Sequence, residues 1–203
     1  PEFLQEDCTP DKLAQALGHT LTPRIFPALV PLTLPHDHFL CALSGLTTPA
    51  VLEVRSREGK CLTAFSGSTL CTHFGLSGPP VLDISRYYRE ALLNDPEGTQ
   101  LVANWLPDET PESFDRVLLG AGRISAGRVL GERLPERLAR ALCAAAGVDA
   151  SAPLAQLTRE ARRTLARTAT ALVLPITGDR GYTYAEVTAG GIPLSEIRLE
   201  TME

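Results

Sequence analysis

Val51-Leu52-Glu53-Val54-Arg55-Ser56-Arg57-Glu58-Gly59-Lys60-Cys61-Leu62-Thr63-Ala64-Phe65 is the stretch on which the fold turns. Apolar and polar residues alternate on both sides of Glu58-Gly59. Period-two alternation around a glycine-bearing tight turn describes two antiparallel strands that share one buried face. Working outward, the run from Phe39 to Leu43 and the run from Gln100 to Trp105 carry the same strand pattern. Phe26-Pro27-Ala28-Leu29-Val30-Pro31-Leu32 is apolar but too rich in proline for a central strand, and is expected as an edge strand or an extended lead-in. Near the other end, Leu172 to Ile176 and Tyr182 to Val187 resume the strand pattern, with Gly178-Asp179-Arg180-Gly181 as a hairpin signal.

Helical signals fall in two places. Thr9-Pro10-Asp11 opens a short helix closed by Gly18, and Ser77-Gly78-Pro79-Pro80 opens a second with Val81, Leu82, Ile84, Tyr87, Tyr88, Ala91 and Leu92 on one face and Ser77 as its cap. From Thr110 to Thr170 the 3.6-residue period dominates. Helices start at Thr110-Pro111 and at Pro135, a third runs through Thr158, Ala161, Leu165 and Ala169, and Gly120, Gly122, Gly127 and Gly131 loosen the connection into short pieces. The expected fold class is α+β: an antiparallel β-barrel-like subdomain, residues 20–108 plus 171–195, carrying an inserted all-α helical subdomain, residues 109–170.

With 203 residues, 44% of them apolar and 21% charged, the chain has enough material for a substantial core, and disorder, collagen and coiled coil are set aside. Prolines 27, 31, 35 and 175 break its longest apolar runs well short of the roughly 18 residues of a membrane helix. Cys8, Cys41, Cys61, Cys71 and Cys143 are odd in number with no C-x-x-C pair, the pattern of a reduced, cytoplasmic protein. His36-Asp37-His38 has no second Cys or His pair at zinc spacing and reads as a solvated turn, so no metal is expected.

A net charge of −5 opposes nucleic-acid binding by the chain as a whole. Residues 116–167 depart from that average: ten arginines stand against four acids, so this unit is about +6 and the remainder about −11. It contains no aromatic residue to serve as a base-stacking platform, so most of its arginines read as solvated helix faces and nucleic-acid binding is not the first expectation. A protein- or nucleic-acid-binding module built on this unit is the alternative reading. Gly120-Ala121-Gly122 follows helical residues rather than a strand and is no dinucleotide fingerprint. Gly75-Leu76-Ser77-Gly78 lacks the spacing of a nucleophile elbow, which leaves a serine hydrolase using His73 and Ser77 as the weakest of the three functional readings. Gly190-Gly191 after a strand signals either a plain turn or a close approach of backbone to a ligand.

Three ordered motifs carry a resemblance. Leu17-Gly18-His19 leading to Pro27-Ala28-Leu29-Val30-Pro31-Leu32, then Thr72-His73-Phe74-Gly75-Leu76-Ser77-Gly78-Pro79 with Leu82, then Ala185-Glu186-Val187-Thr188-Ala189-Gly190-Gly191 with Glu196-Ile197 and Thr201-Met202-Glu203, together resemble the BaiN/YhiN-type flavoproteins, a bacterial family of NAD(P)/FAD-dependent oxidoreductases. The resemblance implies that the chain is an insertion, or cap, domain. Residues 1–19 would then lead from the FAD domain of the same parent chain and residues 196–203 would lead back to it. It implies FAD in the full-length parent, no cofactor and no activity in this piece alone, and a small-molecule substrate met at the junction of the two domains. Gly75, Ser77, Thr188, Gly190 and Gly191 are the implied cofactor-side residues in the full-length context. His73 is the candidate catalytic group, set against an ordinary histidine in a turn.

Overall fold

In the computed structural model, residues 9–198, 200 and 201 are described. Cys8 and the outer parts of the two lead segments, residues 1–8, 199, 202 and 203, lie outside them.

The hairpin forms where the alternation places it. Strands β3 (Thr47–Arg55) and β4 (Cys61–Thr72) pair antiparallel with Leu52 opposite Phe65. Ser56 N–H donates to Lys60 O at 2.9 Å and Gly59 takes φ 78°, a conformation that glycine adopts without a Cβ penalty. Thr48, Ala50, Leu52 and Val54 point into the core while their neighbours do not, so the period of two is realised residue by residue.

Around this hairpin the larger sheet is ordered β7-β6-β3-β4-β5-β2-β8, every neighbour antiparallel. The remaining strands are β2 (Leu32–Thr33), β5 (Gly75–Ser77), β6 (Gln100–Asn104), β7 (Leu172–Leu174) and β8 (Gly178–Asp179). Its two edges are β7 and β8, which only residues 175–177 separate in sequence. Seven flat strands at about 4.8 Å spacing would hold those edges about 29 Å apart, whereas four Cα–Cα steps reach at most about 15 Å. The sheet must therefore roll up. No ladder joins β7 to β8 among the described residues, so it is a rolled, open sheet and not a closed barrel. A separate two-stranded ribbon pairs β1 (Phe26–Ala28) with β9 (Val187–Ala189).

Helix α1 (Pro10–Ala16) has Thr9 as its cap, as expected. Helix α2 (Pro79–Asn94) lies across β3 and β4, where Pro80 packs against Gly67. Helices α3 (Pro111–Gly120), α4 (Ala126–Gly131), α5 (Glu136–Ala145) and α6 (Arg159–Thr170) follow one another between the paired strands β6 and β7. One contiguous core runs through both layers: Leu52, Leu101 and Trp105 belong to the same buried cluster as Phe114, Leu130, Leu142 and Leu165. Trp105 N–H donates to Ala169 O at 3.0 Å and fastens the return from α6 to the sheet.

Several elements differ from the sequence expectation. Residues 39–43 form no strand; Cys41–Leu43 is a 3-10 turn with Leu40, Cys41 and Leu43 all buried. Five consecutive apolar residues do not distinguish a strand from a buried turn. The segment from Tyr182 to Val187 is strand only at its last residue. Tyr184 and Ala185 N–H both bond back to Gly181 O, which coils the chain before β9 begins. The proline-rich lead-in splits in two, and β2 is interior to the sheet, pairing with both β5 and β8, because Pro31 and Pro35 lie just outside it. Ser77 does not cap α2: it is the last residue of β5, and Gly78 at φ 98° is the cap without any side-chain bond. Pro79 and Pro80 carry no N–H, so two of the four donors that a cap would serve do not exist.

Candidate functional site

The expected site residues fall into two groups. The first surrounds the turn between β4 and β5. His73 is exposed there, its ring edge-on to Phe74 at 5.1 Å. The Arg180 guanidinium lies over Phe74 at 4.4 Å and over Tyr184 at 4.0 Å, so the β8–β9 connection closes onto this turn through stacked side chains. Among the described residues no hydrogen bond joins His73 to Ser77, and the pair does not form a nucleophile with its base. The structure shows a second reason for Gly75. With φ +148°, a Cβ there would sit 2.3 Å from Leu32 O, so the glycine is required where β5 meets β2.

The second group lies on the ribbon. Thr188 is opposite Pro27, and Gly190 and Gly191 end β9. A Cβ on Gly190 would be 2.2 Å from Arg24 O, so the chain's own backbone fills that space, whereas Gly191 has open space where its Cβ would be. Gly191 N–H donates to Thr22 Oγ1 at 2.9 Å and Thr22 N–H donates to Gly191 O at 2.8 Å. Glu196 continues the clasp: it accepts from Thr20 N–H at 2.9 Å and from the Thr20 hydroxyl, and its carboxylate is 3.2 Å from His19 Nδ1. These bonds, the Thr20 hydroxyl first, hold the Glu196 carboxyl below its ordinary range. The early and late segments of the chain therefore run side by side. β1 is buried, β9 pairs on one edge only among the described residues, and Leu17, Ile25, Val187 and Leu194 are exposed around them. Glu196 was legible in the sequence only as part of a family motif; the Arg180 stack had no signal beyond a presumed hairpin.

A phosphate cradle needs a strand, a glycine turn and the free N–H groups of a helix start. Among the described residues the junction of that order, β5–Gly78–α2, does not fit: Pro79 and Pro80 remove two of its donors, and a Cβ on Gly78 would meet Ser68 O at 2.5 Å. That junction is therefore no phosphate cradle. His36 and Asp37 lie in an exposed turn, with His38 half-buried against Phe39 at 4.7 Å, where burial lowers its pKa. No group of three metal-ligating side chains occurs among the described residues. Cys41, Cys71 and Cys143 are buried free thiols, the latter two pushed up to about 11 by burial, and Cys61 is exposed. No described helix is long and apolar enough to cross a membrane.

The arginines of residues 116–167 divide by partner. Arg133 pairs with Glu109 at 2.6 Å, Arg162 with Asp115 at 2.7 Å, Arg140 with Glu136 at 2.6 Å and Arg128 with Glu132 at 3.7 Å, and Arg137 donates to Ala42 O at 3.0 Å. Arg116, Arg123, Arg159 and Arg167 make no ion pair within 4 Å among the described residues, and Arg163 reaches Asp115 only at 4.0 Å.

Residues 26–187 match the model of a family described as "HI0933-like protein barrel and H2TH domain". The chain is 33% identical over 195 residues to the ribosomal RNA dihydrouridine synthase of Escherichia coli, covering 95% of this chain and 45% of that protein. It is 27% identical over 195 residues to the 3-dehydro-bile acid delta(4,6)-reductase of Clostridium scindens, covering 94% and 47%. To the ribosomal RNA dihydrouridine synthase of Haemophilus influenzae it is 29% identical over 178 residues, covering 87% and 41%. The chain thus spans about half the length of the curated relatives it matches. A rolled antiparallel sheet, a run of helices between two of its neighbouring strands and this match over most of the sequence lead to one assignment: the chain belongs to the HI0933-like family, the BaiN/YhiN-type flavoproteins.

Proposed function

We propose that this chain is the substrate-side cap of a FAD-dependent oxidoreductase that takes its electrons from NAD(P)H in the cytoplasm. In this reading residues 20–108 plus 171–195 form the barrel-like body, residues 109–170 the helical insert, and residues 1–19 and 196–203 the two passages to the flavin domain. The observation that carries it is the β1–β9 ribbon. Two segments 160 residues apart in sequence are clasped by Thr20, Thr22 and Glu196, and apolar side chains are left uncovered beside an open strand edge. A two-stranded passage of this kind lets one domain sit inside the sequence of another. In this reading FAD itself is held by the parent's other half, and the cap is inactive alone. His73, Ser77, Thr188 and Gly191 are the side chains and backbone that would face the junction.

Hydrogen exchange on the full-length protein and on the isolated chain tests the docking. Amides of residues 17–28 and 187–197 are expected to exchange more slowly in the full-length protein; equal rates in the two would refute docking through the ribbon.

Two relatives named as ribosomal RNA dihydrouridine synthases, at 33% and 29% identity, favour a second reading of the substrate, an RNA uridine instead of a free small molecule. The bile-acid reductase at 27% keeps the small molecule in play, and both names denote reduction of an unsaturated ring. Binding of RNA to the full-length flavoprotein separates the two.

A further inference from the structure

Net charge says little about where an RNA would lie, but the division of the arginines says more. Five of the ten have partners: four pair with carboxylates of the helical segment, and Arg137 donates to Ala42 O in the 3-10 turn of the body. Arg159, Arg163 and Arg167 recur every fourth residue on the exposed face of α6, which stacks them about 6 Å apart along one stripe. Arg116 on α3 joins Arg163 and Arg167 in lining a cleft of about 560 Å³ between the two helices. Beside it, Arg159, Arg163 and Arg167 line a second hollow of about 390 Å³.

Three carboxylates share the place: Asp115 and Glu112 line the first cleft and Glu160 the second. Asp115 is held by Arg162 through two bonds, at 2.7 and 3.4 Å. Glu112 and Glu160 sit in the first turns of α3 and α6, where a negative charge offsets the helix dipole. What remains is a row of guanidinium groups along a groove, with Arg116, Arg159 and Arg167 making no ion pair within 4 Å among the described residues and Arg163 at 4.0 Å from Asp115, spaced on the order of neighbouring phosphates in one strand. Guanidinium forks match phosphate oxygens bidentately, and the absence of aromatic side chains in this unit suits backbone contact and does not suit base stacking.

Resting on the RNA reading above, we infer that the α3–α6 face is the phosphate-contacting surface that holds an RNA strand: Arg116, Arg163 and Arg167 grip its backbone, and Arg159 extends the track. The helical unit positions the nucleic acid by its backbone and does not read its sequence. The base to be reduced would be presented elsewhere, on the barrel side.

The test uses the full-length protein with its flavin and a short fluorescein-labelled RNA stem-loop, followed by anisotropy across a salt series. Arg163→Gln/Arg167→Gln is compared with Arg128→Gln/Arg140→Gln, which removes the same charge from the cleft between α4 and α5. The α6 pair is expected to weaken binding about tenfold or more and to lower the salt slope by about 1 to 2, while the α4/α5 pair stays within about twofold of the parent. Retained flavin colour and unchanged thermal midpoints show that both variants are folded. Equal losses in the two variants, with RNA still bound by the parent, would overturn the assignment of the face and leave the RNA reading standing. No RNA binding by a yellow parent protein would overturn both. Polyglutamate displacing the RNA at comparable concentration would mark the face as a dock for an acidic protein and overturn it too.

Discussion

At Gly190 an added methyl group would land 2.2 Å from the Arg24 carbonyl oxygen and 2.8 Å from Thr22 Oγ1, at a φ of +88° that already disfavours any side chain. Its neighbour Gly191, at φ +136°, has nothing within 4 Å. Gly190→Ala is expected to cost about 3 kcal/mol or more by forcing the ribbon apart, and Gly191→Ala about 1–2 kcal/mol from backbone strain alone; urea unfolding of the two variants measures the difference. The sequence showed a double glycine and left open whether a turn or a ligand required it. Which of the two carries the packing role depends on Arg24, 166 positions away, and no local pattern encodes that. Glu109 makes a comparable case for charge. Bonds from Ser113 and Arg133 hold its carboxyl below the ordinary 4.5. A depressed folded-state pKa gives stability that is fully present above 4.5 and lost as the pH falls through the lower folded value. Glu109→Gln should therefore flatten the acid limb of a stability-against-pH curve below about 4.5 and lower stability near neutrality; an unchanged acid limb would show that the pair contributes nothing.

Among the elements, those whose signals are local were legible: the β3–β4 hairpin from its alternation, α3 from Thr110-Pro111, whose cap and box are both formed, and α6 from its apolar spacing. Elements decided by distant partners were not. The run from Phe39 to Leu43 holds a 3-10 turn, Cys41–Leu43, that buries Leu40, Cys41 and Leu43 and exposes Ala42, and the chain after Gly181 coils where Arg180 stacks on Phe74 and Tyr184. The link between β1 and β2 is a further instance. Leu29 adopts φ 49°, and the next amide, Val30 N–H, is buried and donates to Ser85 Oγ at 3.2 Å on α2, whose hydroxyl in turn donates to Leu82 O at 2.7 Å. Ser85→Ala would leave that amide without its partner, at an expected cost of about 1–3 kcal/mol. Ser85→Thr, which keeps the hydroxyl, should recover part of the loss, and calorimetry on the two variants checks the order.

Over the whole molecule, the net charge of −5 conceals a cationic helical unit on an acidic body, and one core joins them. The family could be read from three motifs, two of which include a glycine whose surroundings exclude a Cβ, Gly75 and Gly190. The shape of the arginine face could not, because ion pairs to Glu109 and Asp115, outside the unit's own boundaries at 116–167, decide which arginines remain free. The ribbon and the uncovered apolar side chains beside it support the proposed reading of this chain as a cap that meets a flavin held elsewhere. Flavin absorbance after gel filtration, recorded for the full-length protein and for the isolated chain, each mixed with excess FAD, tests that assignment most directly. The full-length protein should elute yellow with FAD bound and bleach on addition of NADPH or NADH, while the isolated chain elutes colourless. A flavin-free full-length protein, or an isolated chain that retains FAD as well as the whole does, would contradict it.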